Sequence, residues 1–223
     1  MLKLSFITIH AEFIQSYFKF GAFKAARNAG SLSLEVVNLR DYSSDERGSV
    51  DGRVYGGGDG MILSPEPLAR ATKALRNKDS KVVLLSPQGN PWSQPRVESA
   101  AKLAHLILVC GRFGGVDQRY IDHYVDEEIS IGNFVISGGE LAALTVADSL
   151  VRQLPGALGH KESAVMDSFA SGLEGRLEHP QYTRPEVFEG EAVPEVLLSG
   201  HHKKIAAWQE AASIKITNVK RQK

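Results

Sequence analysis

Glycine-rich segments lie next to the apolar runs of this chain and are its clearest candidates for binding chemistry. They are YGGGDGM at 55–61, CGRFGGVDQR at 110–119 and SIGNFVISGGEL at 130–141. Glycine lets a backbone turn tightly, or lets a ligand lie directly against amide and carbonyl groups. Each segment alone is more often a tight turn than a site, but three together favour a ligand held by backbone groups.

The spacing of these glycines excludes the common nucleotide-binding motifs. No Gly-Lys-Ser/Thr completes a phosphate-binding P-loop, and GRFGG lacks the Gly-x-Gly-x-x-Gly spacing of a dinucleotide-binding turn. The apolar residues of 130–136 are typical of a buried strand, yet Gly132 interrupts them and Gly138–Gly139 follow. We expect the glycines to meet at the ends of parallel strands, where open α/β sheets bind ligands.

Strand and helix patterns alternate over the first two thirds of the chain. Strands are predicted over 2–9, 32–39, 81–87 and 105–111, and helices over 11–30, 95–104 and 139–154. The continuous apolar runs KVVLLSP and HLILVCG are typical of strands buried on both faces of a parallel sheet. The alternation therefore predicts an α/β domain over residues 1–154.

The sequence pattern changes after Leu154. Residues 155–178 are rich in Gly, Ser and Ala without a sustained period, which predicts a mobile interdomain linker or lid. Helical spacing then resumes and places Ile205, Trp208 and Ala212 on one face. We predict a small helical C-terminal domain over residues 179–223.

Composition restricts the class of protein without identifying a partner. The 223 residues are 43% hydrophobic, and the 26 basic and 26 acidic residues cancel, so net charge does not demand a nucleic-acid partner. From His201 onward, however, there are six Lys or Arg residues and only one acid, Glu210. This end therefore offers either a phosphate-contacting surface or a solvated helix face. The single cysteine, Cys110, is predicted to be a buried hydrophobe, and the absence of a signal or membrane-spanning pattern predicts a soluble, cytoplasmic protein.

The order of the motifs resembles a known family. VYGGGDGM, LLSPQG, LVCGRFGGVDQR, DEEISIGNFVISGGELAAL, HPQYTRPEVFEG and VPEVLLSGHHKKI together resemble the bacterial tRNA (guanine-N1)-methyltransferases of the TrmD family, over nearly the whole chain. The resemblance implies a SPOUT-type parallel sheet with a deep C-terminal trefoil knot, which is a rare exception to unknotted topology. It also implies methylation of N1 of guanosine 37 in tRNA, S-adenosylmethionine as cofactor, and a homodimer with active sites at the subunit interface.

The resemblance also assigns site residues. The implied cofactor-binding residues are Leu85, Ser86, Pro87, Gly111, Ser130, Ile131, Gly132, Asn133, Phe134, Val135, Ile136, Gly138 and Gly139. The implied RNA-binding residues are Asp51, Gly60, Arg112, Ser163, Arg184, His201 and Lys203. For the apolar members of the first set, above all Ile131 and Val135, packing in the core is an open alternative.

Methylation of guanine N1 requires loss of the N1 proton as the methyl group arrives, so a general base and a cation near O6 help most. Asp167 matches the family's base and Arg152 matches the residue that supports the developing charge. Without the resemblance, Asp167 is predicted to cap a helix and Arg152 to lie on the surface of a last helical turn.

The chain departs from the family pattern at several positions. The usual GRYEGVDER is GRFGGVDQR here, so Gly114 replaces a carboxylate, and Asn133 replaces another in IGNFV. These changes leave the use of magnesium open. They also leave two alternatives open, namely a SPOUT methyltransferase of another RNA site and a non-catalytic RNA- or cofactor-binding paralogue. Gly114 favours the paralogue, whereas the retention of Asp167 and Arg152 favours the enzyme.

Overall fold

The computed structural model describes residues 1–159 and 164–221. The chain divides into two compact units, Met1–Gly159 and His160–Lys223. The strands of the first unit are β1 (Leu2–Thr8), β2 (Leu32–Asn38), β3 (Asp51–Arg53), β4 (Met61–Leu63), β5 (Ser80–Pro91), β6 (His105–Cys110) and β7 (Glu127–Ser130). Its helices are α1 (Ala11–Tyr17), α2 (Gly21–Asn28), α3 (Pro65–Leu75), α4 (Gln94–Ala100), α5 (Gln118–Tyr124) and α6 (Gly139–Val151).

A five-stranded sheet forms the centre of the first unit, in the order β2-β1-β6-β5-β7. All four strand pairs in it are parallel, which confirms the predicted α/β class. Strands β3 and β4 form a separate antiparallel pair. Because β1 pairs with β6 although Lys3 and its partner His105 are far apart in sequence, loops from distant parts of the chain end at one edge of the sheet.

The apolar strand residues alternate between two cores. In β6, Leu106 and Leu108 pack in the core that also contains residues of α2 and α6, whereas Ile107 and Val109 pack in the core that contains residues of α3. Alternate residues of a strand point to opposite faces, so a strand covered on both faces needs a continuous apolar run. Cys110 is buried and unpaired, as the sequence predicted.

Two predicted elements are wrong. The single helix over 11–30 is two helices, because Phe20 is extended and Gly21 has a φ of +50° in the left-handed region. The buried strand over 130–136 ends at Ser130. Beyond it the chain is a loop in which Gly132 has a φ of +153° and Val135 is 84% exposed. Apolar composition alone did not distinguish this loop from a core strand.

The second unit contains the short hairpin β8 (Val187–Phe188) and β9 (Glu191–Ala192), followed by α7 (Glu195–Leu198) and α8 (His202–Arg221). Two buried hydroxyl groups of α8 form hydrogen bonds with the backbone of Leu177, which precedes the hairpin. The Leu177 backbone N–H donates to Thr217 Oγ1 at 2.9 Å, and Ser213 Oγ donates to the Leu177 carbonyl oxygen at 2.6 Å. Ordered hydrogen bonds thus reach into the segment predicted as a linker, whose mobility stays a prediction.

Aromatic rings extend the contacts of α8. The Trp208 ring centroid lies 6.1 Å from that of His179 and 6.3 Å from that of Tyr182. Ile205, Trp208 and Ala212 are all half-buried. Among the described residues, none of the helices is long and apolar enough to cross a membrane.

A buried histidine joins three strands at the end of the sheet where β5 and β6 begin. His105 Nε2 lies 2.9 Å from Ser5 Oγ, and Nδ1 lies 2.7 Å from Ser80 Oγ. Burial lowers the pKa of His105, and the Lys3 ammonium lowers it further, against the opposing Glu35 carboxylate. Both ring nitrogens are satisfied by the neutral imidazole when Nε2 carries the proton, because Ser5 Oγ also donates to Glu35.

We predict that His105 makes the protein less stable in mild acid. Its folded-state pKa lies below the unfolded value of about 6.5, so the unfolded chain binds more protons as the pH falls through that value. The free energy of unfolding should therefore fall between about pH 7 and pH 5, by at most about 1.4 kcal/mol per pH unit from this group. Urea unfolding across this range should show a shallower slope for His105→Gln. The exposed histidine variant His123→Gln should keep the parent slope, and equal slopes in all three proteins would contradict the assignment.

Candidate active site

A cleft of about 280 Å³ opens at the carboxyl ends of β5, β6 and β7. One water molecule needs only about 10–15 Å³ of such space, so the cleft is large enough for an organic ligand. Three segments form its walls: 84–88 within β5, 111–116 after β6, and 128–139, which includes the loop after β7. We call this space the cleft.

The structure brings together nearly all the residues that the resemblance assigns to the cofactor. Those that line the cleft are Leu85, Ser86, Pro87, Gly111, Ser130, Ile131, Gly132, Phe134, Val135, Ile136, Gly138 and Gly139. Asn133 is exposed and does not line it. Packing in the core is excluded for Val135 by its exposure, whereas Ile131 packs against the core and also lines the cleft.

Gly139 allows the start of α6 to approach the end of β6. Its N–H donates to the Gly111 carbonyl oxygen at 2.7 Å. A Cβ placed on Gly139 would lie 2.8 Å from Cys110 Cα and 2.8 Å from Gly111 N. The sequence led us to expect that glycine at this position lets a ligand lie against the backbone. In the structure, the backbone of Cys110 and Gly111 lies against Gly139 instead.

The loop after β6 supplies cleft residues that the sequence did not assign to the cofactor. Phe113, Gly114, Gly115 and Val116 line the cleft, and Phe113 has a φ of +58°. The GRFGGV motif could have identified these residues, but only its first two residues were assigned a role, Gly111 in cofactor binding and Arg112 in RNA binding. Other unassigned lining residues, such as Glu128, have no distinguishing sequence signal.

Strand β4 supports this loop from one side. The Gly114 N–H donates to the Met61 carbonyl oxygen at 2.8 Å, and the Leu63 N–H donates to the Gly115 carbonyl oxygen at 2.9 Å. Two residues predicted to bind RNA lie here: Asp51, half-buried in β3, and Gly60, exposed in the connection just before β4. The glycine-rich connection between these strands is therefore held beside the wall of the cleft.

A capped helix holds the other end of the loop. Asp117 Oδ1 accepts a hydrogen bond from the Arg119 backbone N–H at 2.9 Å, at the start of α5. The Arg119 side chain also donates to this carboxylate, which lowers the pKa of Asp117 below its ordinary value. The carboxylate therefore stays charged at neutral pH and keeps the helix start in place.

The residues implied in catalysis lie in different units. Arg152, which follows the last residue of α6, is half-buried in the first unit. Asp167 is half-buried in a bend of the second unit, and its carbonyl oxygen accepts from the Ala170 N–H at 3.1 Å. No α-helix begins after Asp167 in the described residues 168–178, so the alternative of a helix cap there is wrong.

The remaining residues predicted to bind RNA occupy several surfaces. Arg112 lines the cleft, and Arg184, His201 and Lys203 are exposed in the second unit. Ser163 lies outside the described residues. Within the described residues, no group of three or more His, Cys, Asp or Glu side chains could hold a metal ion.

Comparison with known proteins decides the family. A sequence model of tRNA (guanine-1)-methyltransferase TrmD matches residues 2–223. The chain belongs to the TrmD family. This confirms the resemblance on which the site residues were assigned.

Three relatives named tRNA (guanine-N(1)-)-methyltransferase illustrate the relationship. The Halalkalibacterium halodurans protein is 45% identical over 219 residues, covering 97% of this chain and 88% of that protein. The Alcanivorax borkumensis protein is 47% identical over 208 residues, covering 92% and 78%. The Bacillus subtilis protein is 42% identical over 223 residues, covering 99% and 90%. The TrmD match thus includes both units.

We predict that Gly139→Ala lowers the free energy of unfolding by about 1–3 kcal/mol, because overpacking against rigid backbone costs that much. Gly111→Ala is a matched control, since its Cβ would lie 3.4 Å from the Leu85 carbonyl oxygen, an ordinary contact. Chemical unfolding without ligand measures both variants. A Gly139→Ala protein as stable as Gly111→Ala would show that α6 does not need this close approach.

Proposed function

We propose that this protein transfers a methyl group from S-adenosylmethionine to N1 of guanosine 37 in tRNA. The observation that carries the proposal is the cleft, where three separate segments of a TrmD chain present glycine backbone and apolar side chains together. The names of the relatives support the same reaction. The cytoplasm is the proposed location, because tRNA is used there.

The cleft fits the chemical character of this cofactor. Leu85 and Ile131 offer apolar surface for the adenine ring, and the glycines of the cleft wall place backbone rather than side chains beside its polar edge. When bound, S-adenosylmethionine supplies a methyl group activated by a sulfonium. The protein's contribution there is to hold and orient the cofactor and to exclude water.

The proposed fold is the knotted SPOUT arrangement with an added C-terminal domain. Support comes from the sheet order β6-β5-β7, which differs from the order of these three strands in the chain, and from the convergence of the segments at their carboxyl ends. We retain residues 1–154, 155–178 and 179–223 as the proposed domain, linker and tRNA-binding domain. The division of the chain into compact units after Gly159 supports a boundary in this region.

Asp167 and Arg152 are the proposed catalytic residues. Neutral N1 of guanine is a poor nucleophile, because its lone pair is delocalised into the ring. A carboxylate at Asp167 would accept the N1 proton, and the guanidinium of Arg152 would stabilise the negative charge that develops on O6. Family membership supports both roles.

The proposed RNA contacts combine the β3–β4 connection with basic residues of the second unit. Exposed Arg184, His201 and Lys203 would contact phosphates, whose charge dominates nucleic-acid affinity. Asp51, Gly60 and Arg112, near the cleft, would contact the target nucleotide, and we retain Ser163 in this set from the resemblance. The use of magnesium is tied to position 114. Gly114 has no side chain, so that part of the cleft wall carries no carboxylate that could hold the ion.

A homodimer is the proposed assembly. Exposed apolar side chains Phe13, Val135 and Leu141 share a second cavity with Ile136, next to the cleft. Apolar groups clustered in this way mark interaction surfaces, and a second copy of the chain would bury them. Each active site would then use Asp167 of one subunit and the cleft of the other.

We predict that Asp167→Asn slows single-turnover methyl transfer to a tRNA transcript by about a hundredfold or more, because the general base is lost while shape is kept. Affinity for S-adenosylmethionine, measured by calorimetry, should stay within about twofold, because the carboxylate contributes to the chemical step. Asp79→Asn, an exposed carboxylate before β5, is the control. A parent protein that binds cofactor and tRNA without methyl transfer would favour the paralogue instead.

A second prediction tests the shared active site. Asp167→Asn and the cleft variant Gly111→Val should each have strongly reduced activity alone, but a mixture that forms heterodimers should regain part of the activity. The recovery arises because one of the two sites in each heterodimer combines an intact Asp167 with an intact cleft. Differently tagged subunits verify that heterodimers have formed. Verified heterodimers without recovery would show that each site lies within one chain.

A further inference from the structure

We propose that Glu140 is a positioning residue, which fixes the guanidinium of Arg112 at the edge of the cleft for RNA binding. The inference rests on the proposed function, because it concerns the same site. It adds a residue to which the sequence assigned no role. Its basis is a buried charged side chain whose ion-pair partner lines the cleft.

Glu140 lies in the first turn of α6, and only 4% of the residue is exposed. Thr8 Oγ1 donates to Glu140 Oε1 at 2.8 Å, and Arg112 Nη1 lies 3.5 Å from Glu140 Oε2. A charge taken out of water is tolerated only when it is paired and hydrogen-bonded. Both carboxylate oxygens therefore have a partner, one neutral and one cationic.

The hydroxyl of Thr8 is itself held in place. Its oxygen accepts from the His10 backbone N–H at 3.0 Å while the hydroxyl proton goes to Glu140. Burial raises the pKa of the neighbouring Cys110 thiol well above its ordinary value, and Glu140 contributes to that rise. The thiol thus stays neutral at physiological pH and does not compete with Glu140 for the guanidinium.

Arg112 extends from this buried carboxylate to two open spaces. It lines both the cleft and the second cavity, and its side chain is 29% exposed. A guanidinium carries donors on three nitrogens in a rigid plane, so fixing one nitrogen sets the direction of the others. The pair with Glu140 uses Nη1, which leaves Nε and Nη2 outside that contact.

Gly138 provides independent support from the packing. Arg112 and Gly138 form an isolated antiparallel bridge. A Cβ placed on Gly138 would lie 2.5 Å from Glu140 Oε2 and 2.8 Å from Arg112 Cδ. Because Gly138 is in extended backbone that any residue can adopt, the need for glycine here is the space taken by the ion pair.

The alternative is that the ion pair only attaches α6 to the sheet. The two roles differ in how the effects of mutations combine. If Glu140 acts through Arg112, replacing Glu140 should have no further effect on RNA once Arg112 is replaced. If it is only an anchor, the losses should be independent and should multiply.

The test is a double-mutant cycle of Glu140→Gln, Arg112→Gln and both together. Gln keeps the size of Glu140 and can accept from Thr8, but it removes the charge that holds Arg112. At saturating cofactor, Glu140→Gln should lower kcat/KM for tRNA about ten- to hundredfold, as misplacement of a binding group can do. The double variant should match Arg112→Gln within about twofold, and calorimetric cofactor affinity should stay near the parent value. Losses that multiply, or a parallel loss of cofactor binding, would overturn the inference.

Glu35→Gln is a control for the loss of an ion pair away from the site, since Glu35 is paired with Lys3 at 2.7 Å and does not line the cleft. It should keep the parent kcat/KM for tRNA. If it lowers kcat/KM as much as Glu140→Gln does, the effect of removing an ion pair is general and the inference fails.

A spectroscopic measurement separates this inference from the proposed reaction. In the nitrogen-15 spectrum of the arginine side chains, the Arg112 Nη signals should be resolved by restricted rotation in the parent. They should merge in Glu140→Gln, with Arg112→Lys giving the assignment. If the Arg112 Nη signals are averaged equally in both proteins, Glu140 does not position Arg112, whatever the methyl-transfer activity is. An inactive parent with restricted Arg112 would instead refute only the proposed methyl transfer.

Discussion

The contact between the end of β6 and the start of α6 is the constraint on which the site depends. There the Gly139 N–H meets the Gly111 carbonyl oxygen with no room for a side chain between the two backbones. A helix that starts this close to the sheet brings its first residues to the edge where the strands end. The loops on either side of the contact, 111–116 and 131–138, are thereby placed as two walls of the cleft.

This close approach also explains why charge is buried beside the cleft. Because α6 starts against the sheet, its second residue, Glu140, is almost fully buried and is paired with Thr8 and Arg112. Removing one member of such a set leaves another buried charge or hydroxyl without its partner, which costs more than the pair contributes in net stability. The local packing of backbone therefore determines where the cation at the cleft can lie.

A different arrangement of buried polar groups holds the second unit. Ser213 and Thr217 lie one turn apart on α8 and satisfy both backbone groups of Leu177. Hydroxyls serve here because a segment without a strand partner must still satisfy its N–H and carbonyl groups when it is buried. Lys203, which is predicted to bind RNA, is exposed on the same helix.

The sequence by itself determined the class of fold, the main strands and most of the segments that meet at the cleft, although the glycine-rich segment 55–61 does not line it. Runs such as HLILVC predicted buried parallel strands because both faces of the sheet are covered, and the motif order identified the TrmD family. The glycine positions predicted the loops correctly, although they did not reveal whether a ligand or protein backbone lies against each glycine.

Only the tertiary structure decided which partner each of these residues has. The apolar residues 131–136 have the composition of a strand, but Gly132 and the start of α6 place them in an exposed loop. Likewise, Glu140 reads as an ordinary first-turn acid, and its pairing with Thr8 joins residues 132 positions apart. Composition and spacing describe local preferences, whereas such contacts depend on the approach of distant segments, which sequence pattern does not encode.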